Sequence, residues 1–389
     1  MILLNPYTPG AGVPPKYLAG REDVIKEAEE TLEYIANGYF ARSIIYYGLR
    51  GVGKTVLLNY IEDMASERNI KFEQIEIAER TSFKSIISLY ILKIIKKLSS
   101  ASTIKQYAQR ALAVLKSFTL TYGDLSISID TDVKAEIGIS DTGNFQNDLT
   151  ELFLVLGMLA AKCQSGVVLF IDEIQYLKND EFEALIAAIH RVNQKALPFS
   201  IFAAGLPKIA KIAGDVKSYS ERLFKFVPIG SLTDEAGKLA LLEPAKKWEV
   251  SYTDKAVEQI LHYTECYPYF LQEYGKQVWR YLDDRKIIDI AEVEKAYKDF
   301  EQSLDESFFK VRYDRATPRE LEFMLAMVKI NKLPCSIKDI NKAMKQKSST
   351  ISPLRAQLIH KGFIYSVNRG ELDFTVPQFD KYLKRVHGL

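Results

Sequence analysis

The residues best suited to chemistry in this chain are a lysine and a threonine that close a glycine-rich octapeptide. Gly48, Leu49, Arg50, Gly51, Val52, Gly53, Lys54 and Thr55 fit the pattern G-x-x-x-x-G-K-[ST] at every fixed position. Glycines let the backbone turn so that successive N–H groups face an anion. The Lys54 ammonium then reaches the outer phosphates of a nucleotide, and the Thr55 hydroxyl suits Mg²⁺. The pattern requires a strand before it and a helix after it. Ser43 to Tyr47 is β-branched and aromatic, as a buried strand should be, and the residues from Val56 to Met64 read as a helix whose N-terminus adds its positive end to the site.

A second stretch supplies acids. Gly166-Val-Val-Leu-Phe-Ile-Asp-Glu173 is an apolar run ending in two carboxylates, the pattern called Walker B. A strand of this kind delivers Asp172 to the C-terminal edge of an open parallel sheet, where such sheets bind ligands. Asp172 is expected to hold Mg²⁺ alongside Thr55, and Glu173 to polarise an attacking water as general base. The two stretches together predict an α/β P-loop NTPase with ATP or ADP and Mg²⁺ as its cofactors.

The other elements must position these residues. The chain has 389 residues, too many for one compact core, and its 47% apolar and 26% charged content is that of a globular protein. Cys163, Cys266 and Cys335 are far apart and odd in number, which suits a reducing cytosol rather than a disulfide framework. The four histidines give no ligand spacing, and no apolar run is long enough to span a bilayer. Residues 5–20 read as an extended Pro/Gly loop, and Gly20-Arg21-Glu22 opens a helix. Lys71–Ile77 and Phe199–Ala204 read as further strands and Phe224–Val227 as a last one, with helices over 82–99, 101–118, 148–163 and 184–195. The alternation of Leu125, Ile127 and Ile129 and then Val133, Ala135 and Ile137 predicts a β-hairpin inserted at about 119–140. Domains are expected at 1–230 for the nucleotide-binding core, 231–309 for a helical lid and 310–389 for a C-terminal domain.

Arg222, just before the last strand, has two readings: an arginine finger reaching a neighbouring subunit's nucleotide, or a surface arginine paired with an acid such as Glu221. The C-terminal domain begins at Thr317-Pro-Arg-Glu320, an N-cap with proline at N1 and glutamate at N3. Helices at 317–330, 336–345 and 350–361, then two short strands joined by Asn368-Arg-Gly370, predict a winged helix-turn-helix. Residues 317–389 carry 13 Lys+Arg against 6 Asp+Glu, a net of +7; chain totals of 52 and 50 leave 39 against 44 elsewhere, a net of −5. Lys342, Lys345, Lys347, Arg355, Lys361 and Arg369 fall on the turn, the second of these helices' successor and the wing tip, the surfaces that would meet double-stranded DNA. A protein-docking module whose lysines keep it soluble would share the pattern.

In this order the motifs resemble those of AAA+ ATPases of the origin-recognition type, the archaeal and bacterial proteins described as replication-initiator-like. The carriers are Gly48 to Thr55, Leu169-Phe-Ile-Asp-Glu-Ile-Gln175, Ala204-Gly-Leu-Pro207, Tyr219-Ser-Glu-Arg-Leu-Phe224 and Tyr267-Pro-Tyr-Phe-Leu-Gln272. The resemblance implies five parallel strands in the order 5-1-4-3-2, contacts to the nucleotide from Arg21 and Val56, and a lid proline, Pro268, that touches nucleotide as in the related STAND signalling ATPases. It also implies self-association, cytoplasmic location, further protein partners and no membrane. Two departures stand out: the residues after the fourth strand are small and apolar where relatives carry a polar sensor, and Gln272 stands where initiators carry a lid arginine. The function so implied is ATP binding and hydrolysis coupled to DNA binding or assembly. A STAND-like regulatory switch and a transposition-type ATPase adaptor on DNA are the alternatives.

Overall fold

A computed structural model describes residues 4–78, 81–99, 105–122, 133–216 and 220–389. The chain forms two compact units. One comprises Arg21–Gly48 and Lys54–Ile229; the other comprises Met1–Gly20, Leu49–Gly53 and Gly230–Leu389.

The first of these units is built on a five-stranded sheet. Its strands are β1 (Ser43–Tyr47), β2 (Ile70–Glu76), β3 (Gly166–Asp172), β4 (Phe199–Gly205) and β5 (Phe224–Pro228). Their spatial order is β2-β3-β4-β1-β5, and all pairings are parallel. Read from the other edge, this is the expected 5-1-4-3-2. β3 and β4 are buried at every residue, because a parallel sheet is covered on both faces. That double burial is why both were legible as unbroken apolar runs. Helices α1 (Glu22–Ala36), α2 (Lys54–Ser66), α3 (Phe83–Leu98), α4 (Lys105–Tyr122), α5 (Phe145–Lys162), α6 (Asn179–Gln194), α7 (Lys208–Val216) and α8 (Ser220–Leu223) complete the unit. The core packs Ile91, Ile95, Leu115, Phe118, Leu152, Phe153, Leu185 and Ile189 against the sheet.

The expected hairpin at 119–140 needs correction. Residues up to Tyr122 continue α4, and 133–140 form turns and irregular chain; 123–132 lie outside the described residues. Helical pairing wins over alternation here because Phe118, Tyr122 and Phe145 form one aromatic cluster, and the Tyr122 hydroxyl donates to Asp148 at 2.7 Å. Only a helix brings residues 118 and 122 onto the same side.

The other unit begins with a strap. Residues 4–20 have no regular secondary structure, and Tyr7 anchors them: its hydroxyl donates to the Leu241 carbonyl at 2.7 Å and its ring meets Trp279 edge-on. Gly275 is glycine for this reason, since a Cβ there would lie 2.7 Å from the Tyr7 ring. Helices α9 (Asp234–Lys246), α10 (Asp254–Thr264), α11 (Pro268–Trp279) and α12 (Ile290–Ser303) follow, with a short parallel pair, β6 (Ser251–Tyr252) and β7 (Ile287–Ile288), that the sequence reading lacked. α12 runs through a π-helical turn, Leu304–Phe309, into α13 (Lys310–Tyr313).

The chain ends with α14 (Pro318–Lys329), β8 (Cys335–Ser336), α15 (Ile337–Met344), α16 (Ser348–His360), β9 (Ile364–Ser366), β10 (Glu371–Phe374) and α17 (Phe379–His387). α14 starts with the expected capping box, Thr317 and Glu320 exchanging hydrogen bonds with each other's backbone. The small sheet has three strands in the order β8-β10-β9, not two, because Cys335 and Ser336 add to its free edge. α17 was not foreseen. It is fastened to the preceding helices by Gln378 to the Tyr263 carbonyl at 2.9 Å, by Lys381 with Glu265 at 2.9 Å, by Arg385 with Glu301 at 3.1 Å, and by stacking of Tyr382 on Phe309.

Candidate functional site

The loop between β1 and α2 has the geometry its glycines allow. Gly51 and Gly53 have φ of +87° and +90°, a left-handed conformation that other residues adopt at a cost. Lys54 opens α2, is buried, and donates through Nζ to the Gly48 carbonyl at 3.1 Å. This keeps the ammonium beside the loop backbone in the absence of phosphate. Leu49–Gly53 group with the second unit. There the Tyr269 N–H donates to the Gly51 carbonyl at 3.2 Å, and the Tyr267 hydroxyl donates to the Arg50 carbonyl. A Cβ at Gly51 would stand 3.2 Å from both tyrosines. Pro268 occupies the first turn of α11, between these two residues.

At the sheet edge, β3 presents Asp172. The Thr55 hydroxyl donates to Asp172 Oδ2 at 2.6 Å, and the Glu173 N–H donates to Oδ1 at 2.8 Å. Burial pushes the Asp172 carboxyl above its ordinary value, against the opposing pull of those two donors. The donor set of one carboxylate and one hydroxyl is hard and oxygen-based, which fits Mg²⁺. A buried carboxylate whose ionised form is penalised gains most from a cation.

Glu173 itself has φ of 54°, an uncommon conformation for a glutamate, and it sits where β3 turns into a short 3₁₀ segment, Ile174–Tyr176. The Gln175 amide donates to the Glu173 carboxylate. Gln175 is buried, and its carbonyl oxygen accepts the Leu206 N–H at 2.9 Å. Gln175 therefore ties the expected general base to the end of β4, the stretch that looked sensorless in sequence. Gly205 leaves room for it, since a Cβ there would stand 2.9 Å from the Gln175 oxygen. Sequence reasoning missed this residue because its partner is 31 positions away; the buried Gln after Asp-Glu-Ile was the only signal.

Of the remaining candidates, Arg21 caps the start of α1, and burial lowers its pKa. Val56 is buried in the first turn of α2. Arg222 is exposed on α8. Lys342, Lys345, Lys347 and Arg369 are exposed and Arg355 is half-buried; none of the five has an ion-pair partner among the described residues. Lys345 ends α15 with φ of 53°. Lys361 differs, because its ammonium lies 2.9 Å from the fully buried Glu320.

The comparisons agree with this geometry. Residues 17–202 match the family described as AAA ATPase domain. This part of the chain is an AAA ATPase domain. Residues 306–383 match a family described as Domain of unknown function (DUF8462). No curated protein sequence matches the chain. Among solved structures, the Walker-type ATPase of Pyrococcus abyssi is similar in fold: TM-score 0.59 and 16% identity over 94% of this chain and 96% of that one. Cdc6p of Pyrobaculum aerophilum gives TM-score 0.48 and 15% identity over 96% of each chain. The Aeropyrum pernix Orc1 protein, solved in complex with DNA, gives 0.46 and 14% over 95% and 94%. Among the described residues, no helix is long and apolar enough to cross a membrane.

Proposed function

We propose that the chain binds ATP with Mg²⁺, hydrolyses it slowly, and couples nucleotide state to double-stranded DNA binding and self-assembly. The observation that carries the reading is the 2.6 Å hydrogen bond from Thr55 to the buried Asp172. It joins the residue after the phosphate-loop lysine to the acid of the apolar strand, as metal-assisted phosphoryl transfer requires. Bound there by Thr55 and Asp172, Mg²⁺ would neutralise charge on the phosphate oxygens. The amides of residues 48–55 and Lys54 hold and orient the phosphates. Glu173 orients the water, and Arg222 of a neighbouring copy supplies charge at the reacting phosphate.

Helices α14 to α16 with the β8-β10-β9 sheet support a winged helix, with α16 as the reading helix and 367–370 as the wing tip. Unpaired Lys342, Lys345, Lys347, Arg355 and Arg369 suit a polyanion. The helices from α9 to α12 read as the lid. The second reading, a nucleotide-held switch that seldom turns over, is favoured by one contact: Gln175 occupies the Glu173 carboxylate.

Phosphate release measured against protein concentration, with and without duplex DNA, tests the proposal. A rate per chain that rises with concentration and falls in Arg222→Ala is expected. Tight ATP binding with no release at any concentration selects the switch.

A further inference from the structure

Arg312 belongs to no motif. It lies on α13, half-buried, and its guanidinium stacks 4.4 Å from the Phe308 ring centroid and donates to the Phe308 carbonyl. No carboxylate pairs with it among the described residues. Phe308 in turn stacks on Tyr269 at 4.6 Å, and a Cβ on Gly51 would stand 3.5 Å from the Phe308 ring. These aromatic rings therefore bring Arg312 to the apex of the phosphate loop, segment 49–53.

The surroundings of Arg312 are wrong for a structural arginine. Burial brings its pKa down to about 10, and Arg50 and Arg315, two more cations, push the same way. A guanidinium is seldom taken out of water without an acid to receive it. Here the neighbouring charges repel it, and the aromatic face of Phe308 is a weak compensation. A cluster of cations at a loop whose amides are shaped for anions is an anion site, and a planar guanidinium can hold phosphate oxygens in pairs.

We infer that Arg312 is a phosphate-binding residue: it contacts the anionic chain of a nucleotide seated on the 48–55 loop. The inference rests on the loop being a nucleotide site, and it adds a ligand from outside the AAA ATPase domain match. Arg312 lies within the 306–383 family region, so phosphate occupancy would be felt at the start of the C-terminal segment.

The test is a thermal melt and a titration with Mg-ATP and Mg-ADP on the full chain, for wild type, Arg312→Gln, Arg312→Lys and Lys54→Ala. Arg312→Gln should melt no lower than wild type without nucleotide, because it removes a buried, repelled charge. It should bind ATP and ADP about tenfold more weakly, the loss of one charged phosphate contact. Arg312→Lys should fall between the two. An Arg312→Gln chain that melts lower yet binds both nucleotides like wild type assigns Arg312 a packing role and overturns the inference. A wild-type chain that binds neither nucleotide defeats the reading of the loop itself, which an unaffected Arg312→Gln alone would not.

Discussion

At the sheet edge, Lys54, Asp172 and Gln175 are buried and each has a hydrogen-bonding partner; on α15, α16 and the 367–370 turn, five basic residues lie at or near the surface with no acidic partner. The two regions illustrate two ways of using charge. A buried ionic group must be matched within the fold or by a ligand, so its geometry is fixed and its removal is costly. An exposed one keeps its water, acts over the Debye length and is weakened by salt. The first arrangement suits one ligand in one pose, and the second suits an extended polyanion in many registers.

The comparison can be broken at several points. Lys54→Ala should have the largest effect, weakening ATP at least about 100-fold, or roughly 3 kcal/mol, because the remaining cradle keeps its dipoles but loses its charge. Calorimetry reads this directly, and retention of wild-type affinity would remove the buried half of the contrast.

Lys361 is the residue that crosses the divide, being basic, on the C-terminal segment, and paired. Lys361→Ala strands the buried Glu320 carboxylate and should cost about 2 kcal/mol, less than the ~3–5 of a fully buried pair because the lysine stays about a quarter exposed. For Glu320, burial raises the pKa, but the Thr317 N–H and hydroxyl and the Lys361 ammonium outweigh it and leave the pKa below its ordinary value of 4.5. A carboxylate with a lowered folded-state pKa contributes stability that is complete above 4.5 and is lost as pH falls through the folded value. Urea melts between pH 3 and pH 6 should show that decline in wild type and a smaller one in Lys361→Ala.

Charge reversal on the exposed side should be milder for the fold and visible in binding. Lys345→Glu with Arg355→Glu should leave the melting temperature within a degree or two and weaken duplex DNA binding about tenfold. The slope of log affinity against log salt should shrink by about 2. An unchanged slope would mean that these side chains do not meet phosphates. The smallest effect is expected from Gln175→Ala. Freed from its amide partner, Glu173 should turn over ATP about threefold faster, with KM little changed, since a base acts in the transition state. A raised KM with unchanged kcat would instead assign Gln175 to nucleotide binding.

How far the sequence could be read follows from how local each cause is. β3 and β4 were plain because double burial writes itself as a continuous apolar run. The loop was plain because its glycines and its Lys-Thr pair are contiguous. The edge strand β8 is two residues long and exists through pairing with β10, which no local pattern announces. The alternation near 119–140 pointed to strands, and the Phe118–Tyr122–Phe145 cluster held the first part as helix. Gln175 and Arg312 carry no motif, and their roles arise from partners on separate elements or from the lack of an acid. The basic C-terminal balance overstated the surface available to a polyanion, since Lys361, Lys381 and Arg385 are engaged with acids of the fold.

The π-helical turn at Leu304–Phe309 has a consequence for the lineage of this chain. Such a turn accommodates one residue more than α geometry would hold. Deleting a single residue there would let the helix run on as a regular α-helix. Everything beyond it would be rotated by about 100° and drawn in by about 1.5 Å. Phe308 and Arg312 would then face different neighbours with no other change in sequence. One codon gained or lost in this turn is thus enough to rewire what the C-terminal segment senses, and orthologues should vary in length here rather than drift gradually.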